Sequence, residues 1–143
     1  MKPSILFLAI ATLGIVVYHL GQKAIPEGTN PMAVLVAAYG VAFVLSAVAL
    51  PFFQTAGPAP AWHGILLDRG TLALALGAFL IELGFLLAYR HGASLQTSGL
   101  IVNGLAAVAL IPFALLLHRE SLTLDKVAGI LLTVAGMGLM MRK

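Results

Sequence analysis

The residue best placed to do chemistry in this sequence is Glu82, a single acid inside an apolar run. Glu82 lies 11 residues after Thr71 and 7 before Tyr89, so about 10 Å of helix separates it from the nearer end. A carboxylate at that depth in hydrocarbon costs about 2.5 kcal/mol or more unless it faces a cavity or holds a proton. Such a group can take up a proton or bind a cationic substrate. The alternative is a protonated carboxyl that only links two helices by a hydrogen bond.

A second set of polar residues lies in the next apolar run, which carries no charge. Residues with amide or small side chains recur there at helical spacing: Gln96, Gly99, Asn103 and Ala107. They share one helix face, which predicts either the lining of a substrate path or a surface where amides bond between helices. Ser98 lies off this face, and we expect its hydroxyl to bond back to its own helix.

Tyr18 and His19 end the first apolar run. An imidazole in this position can bind a substrate or carry a proton, because its ordinary pKa is close to neutral. The alternative is an interfacial anchor, a common use of amphipathic side chains at the membrane surface. Both residues are therefore candidates for the substrate or proton site.

The last apolar run carries Gly129 and Gly136, seven residues apart, with Thr133 between them. Small residues on one helix face let two backbones approach closely, and in lipid this packing drives helix association. The spacing predicts a helix contact. Its partner is either a second copy of the chain or the preceding helix of the same chain.

No pattern in the sequence indicates an enzyme. It contains no HExxH sequence, nucleophile elbow or phosphate loop, and the absence of cysteine removes thiol catalysis and thiolate metal sites. Four acids and imidazoles could gather at one interface: His63, Asp68, His118 and Glu120. We expect no catalytic activity, no cofactor and no metal site.

The elements that position these residues must be transmembrane helices. The 143 residues are 61% apolar and 9% charged, whereas a soluble domain has about 25% charged residues. The eight Lys and Arg residues are scattered singly or in pairs between apolar runs, as is typical of membrane flanks. They form no basic face for nucleic acid, so the lipid bilayer is the first expected partner.

A bilayer core of about 30 Å needs roughly 20 apolar residues, with about 17–25 tolerated, and four apolar runs are long enough. The last run has only 15 residues, 127–141, and reaches 20 when it is extended back to Leu122, with Asp125 and Lys126 near the headgroups. The sequence therefore predicts an all-α, polytopic membrane protein with one domain over residues 1–143. The predicted spans are residues 3–20, 31–53, 71–89, 94–117 and 122–141. Pro31 suits a first helical turn after Asn30, and Thr123 is a predicted N-cap. The first span also resembles a secretory signal, but no small-x-small cleavage site follows it.

The positive charges on the two flanks are balanced. With five spans, one side receives Lys2, Arg69, Arg119 and Lys126, and the other receives Lys23, Arg90, Arg142 and Lys143. Orientation normally follows an imbalance of Lys and Arg in short loops, and here there is none. Either the first span sets a fixed orientation, or the chain inserts both ways and two copies pair antiparallel.

The C-terminal half carries a pattern of paired residues. A helix ends at Tyr89-Arg90, a turn follows at Gly92-Ala93-Ser94, the next helix closes at Glu120-Ser121-Leu122-Thr123, and the last helix has Gly129 with Gly136. This pattern resembles the EamA-type domain of the drug/metabolite transporter superfamily. Members of that family typically have ten spans in two five-span repeats of opposite orientation. The related small multidrug resistance proteins have four spans and work as antiparallel dimers.

Two features depart from these families. The first span lacks the carboxylate that the four-span relatives carry there, and Pro112 lies later than the proline that EamA domains often place early in the fourth helix. A proton-coupled multidrug mechanism therefore does not follow from the resemblance.

The resemblance implies a secondary exporter of small metabolites or organic cations in a bacterial or archaeal inner membrane. It would work by alternating access as an antiparallel homodimer, or paired with a similar short chain. Its small-molecule substrate would bind between spans one, three and four, with Glu82 as the coupling or binding carboxylate. The alternative is a membrane subunit that transports nothing and stabilises a partner membrane protein.

Overall fold

The computed structural model describes residues 3–53, 61–117 and 123–140, and all secondary structure in these ranges is helical. The elements are α1 (Pro3–Ala24), α2 (Pro31–Ala49) followed by a 3₁₀ turn (Leu50–Phe52), α3 (Trp62–Leu66), α4 (Arg69–Arg90), α5 (Leu95–Leu117) and α6 (Leu124–Met140). The prediction of an all-α chain is confirmed for the described residues.

Four described helices are long and apolar enough to cross a membrane. These spans are Ser4–Ala24, Pro31–Phe52, Arg69–Arg90 and Leu95–Leu116, and few of their side chains are buried. Outward-facing apolar helices of this length define a polytopic helical membrane protein. The fifth predicted span, residues 122–141, includes α6, whose 17 residues extend about 25 Å; its predicted ends at 122 and 141 lie outside the described residues.

Two helices extend further than the sequence predicted. The first span was expected to end at Leu20, whereas α1 continues to Ala24 and stops just before Pro26, which disfavours helical backbone at Ile25. The third span was expected to begin at Thr71, whereas α4 begins at Arg69. Asp68 caps that helix, since its carboxylate accepts a hydrogen bond of 2.9 Å from the Thr71 amide.

Other predicted helix starts are confirmed. The Asn30 side chain accepts a hydrogen bond of 2.9 Å from the Met32 amide, and Pro31 is the first residue of α2. The Thr123 hydroxyl accepts a bond of 3.4 Å from the Lys126 amide at the start of α6. The Ser98 hydroxyl also bonds back to its own helix start, donating to the Ser94 carbonyl at 2.7 Å.

The chain divides into two compact units, described one at a time. The first comprises the described parts of residues 1–20 and 92–143, and the second comprises residues 21–91. In the first unit α5 packs on α6, and Met137 lies directly over Gly104. A Cβ atom on Gly104 would lie 2.2 Å from the Met137 sulfur, so the absence of a side chain permits this close contact.

In the second unit α2 packs against α4, and α3 also contacts α4. The buried apolar side chains are Leu35 of α2 with Phe85, Leu86 and Tyr89 of α4. The Phe85 and Tyr89 rings stack with centroids 5.9 Å apart. This small core lies towards the C-terminal end of α4, so that end of the helix is the better anchored one.

We expect Gly104→Val to weaken the α5–α6 contact. The new side chain would overlap Met137, and overpacking of this kind costs about 1–3 kcal/mol of unfolding free energy. Helical circular dichroism during titration of sodium dodecyl sulfate into mixed micelles would measure the loss.

Gly138→Val is the matched control on α6, since a Cβ atom there meets nothing within 4 Å. Adding Met137→Ala to Gly104→Val should recover part of the stability. Equal losses in Gly104→Val and Gly138→Val would show that Met137 moves aside at no cost.

Candidate functional site

Three polar side chains come together inside the second unit: Gln22 from the last turn of α1, Tyr39 from α2 and Glu82 from α4. We call them the polar layer. The Gln22 amide donates a hydrogen bond of 3.2 Å to the backbone carbonyl of Glu82, and the Glu82 carboxyl is close enough to Tyr39 to act on it electrostatically. Three helices therefore meet at one polar level.

The depth of the polar layer follows from the helix ends. Tyr39 lies eight residues after Pro31, and Glu82 lies eight residues before Arg90, so each is about 12 Å from its helix end. Those ends lie together, because the Arg90 guanidinium donates a hydrogen bond to the Thr29 carbonyl. Tyr39 and Glu82 thus lie inside the predicted spans, nearer to this end of the helices, whereas Gln22 lies two residues before the end of α1.

Within the polar layer, Gln22 is buried whereas Tyr39 and Glu82 are half-buried. Among the described residues the Tyr39 hydroxyl oxygen is buried and has no hydrogen-bond partner. The half-buried Glu82 carboxyl can exchange a proton, or can offer two oxygens to a cationic group. These are the chemical capabilities that a proton or cation site needs.

Tyr39 is the site residue that sequence reasoning missed. Its span carries no charge, so no acid or base drew attention to it. One feature of the sequence could have indicated Tyr39. It lies eight residues from the start of α2, Glu82 lies eight residues from the end of α4, and these two helix ends are on the same predicted side of the membrane. Equal depth from a shared side predicts that two residues lie at one level, although it does not predict which helix faces meet.

A small cavity lies between the polar layer and the helix ends. Its volume is about 80 Å³, and its lining includes Gln22, Lys23, Glu27, Tyr89 and Arg90. It has polar walls and room for several water molecules. The Lys23 ammonium lies 5.9 Å from the centre of the Tyr89 ring, a cation–π distance. Because Gln22 belongs to both features, the cavity connects the polar layer with the charged end of the unit.

The first unit brings two of the predicted residues into contact. The His19 ring lies against Gly99 of α5, where a Cβ atom would be 3.0 Å from His19 Nε2. Tyr18 meets His19 edge to face, with ring centroids 5.1 Å apart. Both rings are half-buried. The imidazole is therefore held between α1 and the backbone of α5, rather than extending freely as an interfacial anchor would.

The remaining polar residues of the α5 face point outwards. Gln96 and Asn103 are exposed, as is Ala107. This face is therefore available to lipid, substrate or another chain, and its role as a substrate path stays a prediction.

Among the described residues, the glycine pair of α6 makes no close helix approach. A Cβ atom on Gly129 or Gly136 would meet no described atom within 4 Å. The Thr133 hydroxyl donates to the Gly129 carbonyl at 2.9 Å and is satisfied by its own helix. The close approach occurs at Gly104 instead, and the predicted contact of the pair with a second copy stays a prediction.

The described residues contain no group of three or more His, Cys, Asp or Glu side chains that could hold a metal ion. Of the four acids and imidazoles considered above for one interface, His118 and Glu120 lie outside the described residues. The chemistry that the described residues offer is proton exchange and ion binding at the polar layer.

Comparison with protein-family models, with curated proteins and with solved structures finds no match for this chain. The resemblance to the EamA-type domain therefore rests on the paired residues of the C-terminal half. It stays a prediction, and the functional inference below depends first on the polar layer.

We expect Gln22→Ala to destabilise the second unit, because it removes the hydrogen bond from α1 to α4. Interhelical hydrogen bonds in membrane proteins contribute about 0.6 kcal/mol on average and up to about 1.7 kcal/mol. Gln96→Ala is the matched control, since that side chain is exposed. Unfolding of both variants in mixed micelles would measure the difference, and equal stabilities would contradict a structural role for Gln22.

Proposed function

We propose that this chain is a membrane transporter, a secondary exporter of small metabolites or organic cations, in which Glu82 binds the substrate or a coupling proton. One observation carries the proposal: a half-buried carboxyl lies about 12 Å from the nearer end of a helix long and apolar enough to span a membrane. An acid at such depth is costly to keep, and acids retained there typically mark substrate or proton pathways.

The chemistry of Glu82 supports an exchange mechanism. One carboxylate cannot hold a proton and a cationic substrate at the same time, so uptake of either releases the other. The Tyr39 hydroxyl can donate a hydrogen bond to the ionised form, which would stabilise the cation-binding state. The polar cavity that reaches Gln22 has room for water, which would let a proton travel from the charged end. Gln22 holds α1 against α4 at the same level.

The proposal includes five spans and an antiparallel pair of chains in a bacterial or archaeal inner membrane. The fifth span is α6 with its flanking residues, and each copy supplies one of two oppositely oriented repeats, as in larger transporters. Two of the balanced charges, Lys23 and Arg90, flank Tyr89 at one end of the second unit. Four others lie outside the described residues: Lys2, Arg119, Arg142 and Lys143.

We expect Glu82→Gln to abolish coupled transport while leaving the fold intact, because glutamine is similar in size but cannot ionise. Purified protein would be placed in liposomes that contain a trapped pH-sensitive dye. Neutral amino acids, short-chain amines and lipophilic organic cations would then be added one at a time. A compound that changes the internal pH through the unmodified protein identifies a coupled substrate.

Asp125→Asn is the matched control, since it removes an exposed carboxylate in the first turn of α6. Circular dichroism and gel filtration would show that each variant is folded. Flux retained in Glu82→Gln would contradict the role of this carboxyl. If no compound in the panel moves through the unmodified protein, the non-transporting membrane subunit becomes the better hypothesis.

We expect a single cysteine added after Lys143 to be labelled in about half of the molecules when intact cells meet an impermeant thiol reagent. The balanced flanks give the translocon no preferred side, and the natural chain contains no cysteine to interfere. Complete labelling, or none, would show a fixed orientation and would remove dual topology from the proposal.

A further inference from the structure

An apolar groove runs between α5 and α6 in the first unit, away from the polar layer in sequence and in chemistry. Its volume is about 430 Å³, within the roughly 300–1,000 Å³ typical of ligand pockets. Its walls include Val108 and Ile111 of α5 and Gly129 and Thr133 of α6. The mechanism proposed above makes no use of this space.

The two ends of the groove differ. Its inner end lies at Gly104, where Met137 covers the α5 backbone. Its outer end lies between Leu115, near the C-terminal end of α5, and Lys126, in the first turn of α6. The groove is therefore closed by a side chain in the membrane interior and carries a positive charge towards the membrane surface.

The length of the groove matches one leaflet of a bilayer. Gly104 and Leu115 are 11 residues apart, which is about 16 Å along α5. Half of a hydrocarbon core of about 30 Å is about 15 Å. A hydrocarbon chain that starts at the surface and ends at the midplane would fill the groove from its mouth to Met137.

The walls of the groove suit a saturated chain. They are mainly aliphatic, and the one hydroxyl among the described lining residues, Thr133, donates to the Gly129 carbonyl at 2.9 Å. That bond leaves no hydroxyl proton directed into the groove. A polar substrate would lose its hydration there with little in return, whereas an acyl chain gains contact with both helices.

We propose that the groove binds one acyl chain of an anionic phospholipid, with the lipid phosphate held by Lys126. A lysine near the membrane surface favours an anionic headgroup. A second copy of α6 is the alternative occupant, and the dimer measurement described below distinguishes it from lipid.

The test uses the full chain, purified in detergent and stripped of lipid. Phosphatidylglycerol and phosphatidylcholine with identical acyl chains are added separately, and bound lipid is counted by native mass spectrometry. We expect phosphatidylglycerol to bind more tightly. Lys126→Gln should weaken its binding about fivefold, the contribution of one surface lysine, and should leave phosphatidylcholine binding unchanged.

A second pair of variants tests the groove itself. Gly129→Leu places a side chain in the groove, where no described atom lies within 4 Å of its Cβ position, and should abolish binding of both lipids. Gly138→Leu is the matched control, equally open but outside the groove. If Gly129→Leu does not fold, Ala107→Leu fills the groove from α5.

Three outcomes would overturn the proposal. Equal binding of the two lipids to the unmodified chain would remove the headgroup site at Lys126. Unchanged binding in a folded groove-filling variant would place the lipid elsewhere. If the unmodified chain binds neither lipid, and Gly129→Leu loses a dimer that Gly138→Leu keeps, the occupant of the groove is a second copy. None of these measurements depends on transport, so the proposed function can fail independently.

Discussion

In the hydrocarbon of a bilayer, an unpaired backbone amide or carbonyl costs several kcal/mol, so each crossing segment must satisfy its own hydrogen bonds as a helix. This constraint explains why the described secondary structure is helical throughout and why so few of its side chains are buried. Lipid replaces a core as the environment of most side chains. A polar side chain in such a helix can bond to its own backbone, as Thr133 does at the Gly129 carbonyl, or to another helix, as Gln22 does at the Glu82 carbonyl.

The sequence predicts the helices well because their causes are local. Apolar runs of sufficient length, the cap at Asn30 and the cap at Thr123 each depend on residues close together in the chain. The extra turn of α1 was missed because Gln22 looks like a loop residue to any scale of hydropathy. Its side-chain nitrogen donates to the Glu82 carbonyl on α4, 60 residues away, a contact that no local pattern indicates.

The candidate site was less predictable, because it depends on how each helix is rotated about its axis. Glu82 stands out as a charge in an apolar run, whereas Tyr39 becomes notable only beside it. The glycine spacing of α6 indicated Gly129 and Gly136, but the close helix contact uses Gly104 with Met137. Small residues show where a second helix can approach closely. A large side chain on that second helix, packed over the small residue, determines where the contact forms. Such pairs are set by three-dimensional packing, which periodicity alone does not encode.

The contact of Met137 with Gly104 also makes oxidation of Met137 an indicator of whether α5 and α6 are packed together. Oxidation would turn the thioether into a polar sulfoxide, which suits the close contact with the α5 backbone poorly. Met137 is 5% exposed, whereas Met32 and Met140 are 42% and 44% exposed. Its sulfur is therefore shielded from oxidants while α5 and α6 stay packed. A chain without cysteine thus still carries a redox-sensitive atom, and its sulfoxide would mark molecules whose last two helices had parted.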